Sequence, residues 1–124
     1  MIFLLDANAL ICFAGGTDPK LVDRIRSQPA GSVRVSSIVL AEVALGSENG
    51  HAPSPQLLDA ILAVMPVVAF DEAAALAYAR LPFRRARFDR LLAAHALSLR
   101  GTVVTSNLAA FADIPGLLVE DWTA

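Results

Sequence analysis

"RRARFDRLLAAHALSLRGTVVTSN", residues 84–107, runs from three arginines through an acid, a helix-like stretch and a glycine to a short β-branched run and a polar stop. "FDRLLAAHALSLR" (88–100) has helical spacing, and Gly101 is placed to close it at the C′ position. "TVVT" (102–105) has the length and apolar character of a buried strand. A helix that returns into a short apolar strand is half of a parallel α/β unit.

The rest of the chain repeats this alternation. "IFLL" (2–5) predicts a first strand, and "ANALICFA" (7–14) a helix ended by Gly15 and Gly16. Asp18-Pro19 supplies a cap and a first-turn proline for a helix through about Ser27. "VRVSS" (33–37) is a second strand, followed by a helix over "IVLAEVALG" (38–46). Ser54-Pro55 opens another helix, "QLLDAILAVM", which runs up to Pro66. "VVAF" (67–70) is a third strand, and Asp71 caps "EAAALAYARL". After the fourth strand (102–105) come a short helix in "LAAFAD", a Pro115-Gly116 turn and a fifth strand, "LLVE" (117–120). Short, continuously apolar strands between helices predict an α/β three-layer fold. Its five-stranded sheet is mostly parallel, with helices on both faces.

Composition narrows the class. A length of 124 residues suits a single domain, 1–124. With 56% hydrophobic and 18% charged residues the chain is not disordered, and some apolar surface is expected to be covered by a partner. A net charge of −2 excludes a general polycation, so any nucleic-acid contact is local or carried by metal ions. Cys12 is the single cysteine, so no internal disulfide forms, which fits a reducing compartment. "MIFLL" lacks a basic flank and is cut by Asp6, and no apolar stretch approaches a membrane span, so a cytoplasmic protein without a membrane partner is expected. "FAGGTDPK" lacks the phosphate-loop pattern.

In parallel α/β units, strand C-termini and the N-termini of the following helices share one edge of the sheet, where ligands bind. Four polar residues belong to that edge. Asp6 follows the first strand, Glu42 lies a turn into the helix after the second, Asp89 sits in the first turn of the helix entering the fourth, and Asn107 follows that strand. Each has an ordinary alternative: a cap for Asp6, a solvated face for Glu42, an ion pair with Arg90 for Asp89, a turn for Asn107. Their convergence favours a shared cation, because three crowded carboxylates repel one another without one. Oxygen-only ligands select Mg²⁺ or Mn²⁺ over Zn²⁺. His95, about 240° around the helix from Asp89, is read as a packed histidine, His51 as a loop residue and Cys12 as a small buried hydrophobe.

Arg80, Arg84, Arg85, Arg87 and Arg90 are half of the ten basic residues. They are read either as a solubilising linker or as a rim that holds phosphates beside the acids, with Arg84, Arg85 and Arg87 as the substrate contacts.

"LLDANAL", "VSSIVLAEVALG", "FDRLLAAHALSLRGTVVTSN" and "ADIPGLLVEDW" occur in an order and spacing that resembles the PIN-domain ribonucleases, specifically the VapC-type toxins of bacterial toxin–antitoxin pairs. The resemblance spans essentially the whole chain. It implies a Mg²⁺- or Mn²⁺-dependent endoribonuclease, homodimeric and silenced by a VapB-type antitoxin. Asp6 and Asp89 would be direct metal ligands, Glu42 a ligand through water or a positioner of the nucleophile, and Asn107 the fourth site residue. Ala7 and Ala110 depart from the family pattern where a hydroxyl and an acid are frequent, which weakens a second metal site. An antitoxin is expected along a groove around Leu10, Phe13, Leu40 and Val43. The competing readings are a catalytically weak partner-binding PIN fold and a stand-alone RNA-processing nuclease.

Overall fold

Strand β1 (Phe3–Leu5) is the middle of a five-stranded sheet in the computed structural model of this chain, which describes residues 1–83, 85 and 87–124. Around it stand β2 (Val33–Ser36), β3 (Val67–Val68), β4 (Thr102–Val104) and β5 (Leu118–Glu120), in the order β3-β2-β1-β4-β5. Every pairing is parallel, with Phe3 in register with Val33 on one side and Thr102 on the other. β1 and β4 are buried along their whole length, as strands covered on both faces must be. The chain winds outward from β1 through β2 to β3 and then crosses back to β4. The reversal therefore falls between β1 and β4, and the crevice beyond their C-termini is where such sheets hold ligands.

The helices are α1 (Ala7–Gly15), α2 (Pro19–Arg26), α3 (Ser37–Glu48), α4 (Pro55–Val64), α5 (Glu72–Ala79) and α6 (Arg87–Leu99), with a 3₁₀ turn at Leu108–Phe111. The expected caps are in place: the side chains of Asp18, Ser54 and Asp71 accept from the backbone N–H groups of Leu21, Leu57 and Ala74. β1, β2, β4, α3 and α6 meet in a core that includes Leu4, Leu5, Val35, Val39, Leu92 and Val103. At the far side Trp122 is buried against Phe3, ring centroids 4.9 Å apart, and the Arg24 guanidinium lies 5.1 Å above the indole.

Two local expectations change. The third strand stops after Val68 instead of reaching Phe70, because the Phe70 N–H leaves the ladder and donates to the Ser37 hydroxyl at 3.0 Å. At the end of α6 the left-handed position is taken by Arg100 (φ 53°), not Gly101. Arg100 N–H donates to the Leu97 carbonyl (3.1 Å) and Gly101 N–H to the Ala96 carbonyl (2.8 Å), which is a Schellman closure one residue earlier than expected. Gly101 has another duty: a Cβ there would stand 2.9 Å from the Ile2 carbonyl oxygen, so the glycine lets the turn pass β1.

Candidate metal centre

Asp6 is placed by the sheet. Its N–H donates to the Val104 carbonyl at 3.0 Å, tying the end of β1 to the end of β4. Its carboxylate accepts from Ala9 N–H at 2.8 Å and caps α1. The cap and a ligand role are compatible, since only Oδ1 makes that bond. Glu42 reaches the same edge from α3, which starts where the Ser36 hydroxyl accepts from Ile38 N–H at 3.2 Å. Asp89 sits in the first turn of α6. α3 packs on both α1 and α6, and α6 packs on β1. Three separate elements therefore carry the acids toward one edge of the sheet.

Their charges act on one another. The Glu42 carboxyl is raised above its ordinary value, first by burial and then by the charges of Asp89 and Asp6. Asp89 is raised too, first by burial and then by Asp6. Half-buried carboxylates that destabilise one another as anions call for a cation. As the side chains stand, no three metal-ligating groups among the described residues are close enough to chelate one ion. The donor set is all oxygen and fits a hard divalent ion.

Other candidates separate. Asn107 is exposed at the N-cap of the 3₁₀ turn; its N–H donates to the Thr105 hydroxyl (2.9 Å), and its side chain makes no capping bond. It lies at the acids' edge of the sheet, beyond the end of β4. Arg85 and Arg87 are exposed, whereas Arg84 lies outside the described residues. Arg90 is not part of a phosphate rim and does not pair with Asp89. It is 1% exposed, donates to both carboxylate oxygens of Asp113 at 2.8 and 3.0 Å, and donates to the Pro82 carbonyl at 2.7 Å.

His95 is the packed histidine expected: buried, with Nδ1 2.8 Å from the Ser36 hydroxyl and Phe70 edge-on at 5.5 Å. Burial lowers its pKa, against the opposing pull of Asp71 and the Ala69 carbonyl. His51 is exposed, and Cys12 packs partly buried against the core. The residues expected to line a partner groove are mostly turned inward. Leu10 and Val43 are core residues, and Phe13 and Leu40 are only partly accessible. What α1 and α3 turn outward is Ile11 and Leu45, each offset from those positions by one or two residues on its helix.

The PIN domain family model matches residues 3–117 of this chain. The chain belongs to the PIN-domain family. Over 129 residues it is 31% identical to the tRNA(fMet)-specific endonuclease VapC of Salmonella typhimurium, covering 97% of each chain. Among solved structures, the fold is similar to DNA-bound VapBC from Salmonella typhimurium (TM-score 0.84, 27% identity, 98% of each chain). It is also similar to VapBC2 from Rickettsia felis bound to a promoter DNA fragment (TM-score 0.83, 25% identity, 98% of this chain and 99% of that one). The parallel five-stranded sheet is the one shared with these structures. No helix among the described residues is long and apolar enough to cross a membrane.

Proposed function

We propose that this PIN-domain protein is a divalent-metal-dependent endoribonuclease, the toxin half of a VapBC-type pair, working in the cytoplasm as a single domain over residues 1–124 with Mg²⁺ or Mn²⁺. The observation that carries the reading is the placement of Asp6, Glu42 and Asp89 from three elements at the switch-point edge of the sheet, where burial and then the neighbouring acids raise the carboxyls of Glu42 and Asp89. Asp6 and Asp89 would hold the ion, and Glu42 would act on it directly or through water. When bound, the ion supplies Lewis acidity toward the phosphate and lowers the pKa of water. Glu42, the carboxyl whose anion is opposed by both neighbours, takes the proton of the attacking water. Water oxygen bonds to phosphorus, the bond to the leaving sugar oxygen breaks, and that oxygen takes a proton from solvent water, to which Glu42 returns the proton it accepted. The Asn107 amide orients the phosphate, while Arg84, Arg85 and Arg87 hold the flanking phosphates.

The named relatives are an endonuclease and complexes of VapC with its partner, which supports an antitoxin here. Its apolar side chains would lie over Ile11 and Leu45, beside the partly buried Phe13 and Leu40, and an Arg or Lys would enter among the acids in place of the ion. A homodimer covers further apolar helix surface. The test is RNA cleavage by the purified chain against added Mn²⁺ or Mg²⁺, with and without the product of the neighbouring gene. Cleavage that needs the ion and is suppressed by the partner is expected. Cleavage in excess chelator rejects the metal mechanism, and full activity in the complex rejects the toxin reading.

A further inference from the structure

The first turn of α6 carries a second surface that hydrolysis at the acids does not use. Phe83 is 92% exposed and Phe88 51% exposed. Tyr78, Phe83, Arg85, Arg87 and Leu91 line a cavity of about 720 Å³. At roughly 100° per residue, Arg87 and Leu91 share one face of the helix, Asp89 lies about 160° away, and Phe88 points between them. The order around the helix end is thus cavity, Phe88, Asp89.

Phenyl rings standing in water forgo the burial that draws aromatic side chains inside, so this surface suits an occupant with flat apolar faces. The two exposed guanidiniums ask that occupant for negative charge. Residues 73–88 contain no acid, so a second copy of this same surface would add repulsion. Flat faces joined by regularly spaced anions describe a nucleic-acid strand, and only an unpaired strand offers its base faces, since a duplex hides them in the stack. We infer that Phe83 and Phe88 form a stacking platform for unpaired bases beside the scissile phosphate, with Arg85 and Arg87 holding the phosphates between them. The inference rests on the nuclease reading and assigns the residues that would hold the bases and phosphates next to its cleavage site.

The Asp6→Asn chain, which keeps a capping side chain on α1, allows binding to be read without cleavage. It is titrated with a short oligoadenylate containing 2-aminopurine, and with the same strand annealed to oligouridylate. Quenching of 2-aminopurine by the single strand's binding, and not by the duplex's, is expected. Adding Phe83→Ala weakens binding about tenfold and removes the quench, whereas Phe83→Tyr retains both. Phe83 is so exposed that its removal leaves the melting temperature unchanged, which a thermal melt checks. No binding, equal binding of the duplex, or full quenching with Phe83→Leu overturns the platform. A change in sedimentation with Phe83→Ala at unaltered RNA affinity also overturns it, and assigns the patch to a protein contact. The two readings fail separately: a wild-type chain that cleaves RNA without quenching stays a nuclease and loses the platform, while quenching without metal-stimulated cleavage does the reverse.

Discussion

Asp89 and Arg90 are neighbours in the first turn of α6, and the fold treats their charges in opposite ways. Arg90 is buried and matched: both oxygens of Asp113 and the Pro82 carbonyl accept from its guanidinium. Asp89 is half-buried and left among like charges, so its anion is disfavoured. A charge kept for structure is neutralised inside the chain, because an unpaired buried charge costs several kcal/mol. A charge kept for binding is left uncompensated, and its strain is relieved by what binds. One helix turn holds both because roughly 100° of rotation separates adjacent residues.

The largest effect that sharpens this contrast is on activity. Asp89→Asn is expected to reduce RNA cleavage by more than about a hundredfold, at least the loss seen when groups supporting metal ligands are removed. Its melting temperature should equal or exceed that of the wild type, because a repelling charge has gone. Near-wild-type cleavage in this variant would place the metal elsewhere.

Asp113→Ala should do the reverse. It strands the Arg90 guanidinium and costs about 3 kcal/mol in denaturant unfolding, the low end for a broken buried pair because Asp113 is partly exposed. The folded fraction should still cleave RNA with the same metal dependence. A stability loss under about 1 kcal/mol, the range of surface ion pairs, would show that the pair is not what holds the start of α6.

A smaller effect concerns pH. Glu42 and Asp89 are raised in the folded chain, so the fold binds protons more tightly than the unfolded chain does. Their contribution to metal-free stability is therefore full below the unfolded carboxylate range, about pH 4, and is lost as pH rises through the raised folded values. His95, lowered by burial, acts oppositely: its contribution is present above about pH 6.5 and is lost as pH falls. Subtracting the melting curve of Asp89→Asn from that of the wild type cancels the histidine. The difference should grow with pH through the window above pH 4 and close when a divalent ion is added. A flat difference would mean that neither burial nor the neighbouring acids raise Asp89 in the folded chain.

The smallest effect is at Asn107. Asn107→Asp adds a fourth carboxylate to the edge and should tighten Mn²⁺ binding by calorimetry about tenfold or less, since charge count tunes such oxygen sites. Equal affinity in the two proteins would remove Asn107 from the site.

Alternating short apolar runs and capped helical runs determined the parallel sheet and its layers, and Asp18-Pro19, Ser54-Pro55 and Asp71 marked helix starts correctly, because caps and first-turn prolines act through the nearest few residues. Asp6, Glu42 and Asp89 were legible as candidates for a related reason: in a parallel α/β chain, topology alone sends strand ends and helix starts to one edge. Tertiary packing decided what such local rules do not reach. It put Arg100 rather than Gly101 in the left-handed position, because the glycine was needed where the turn passes Ile2. It drew Phe70 out of the third strand toward Ser37, and it turned Leu10 and Val43 inward while leaving Ile11 and Leu45 outside. It also separated Arg90 from the arginines around it by giving it Asp113, a partner 23 residues away. Periodicity ranks the faces of a helix, but only the neighbouring elements decide which of two adjacent residues is buried and which charge meets its complement.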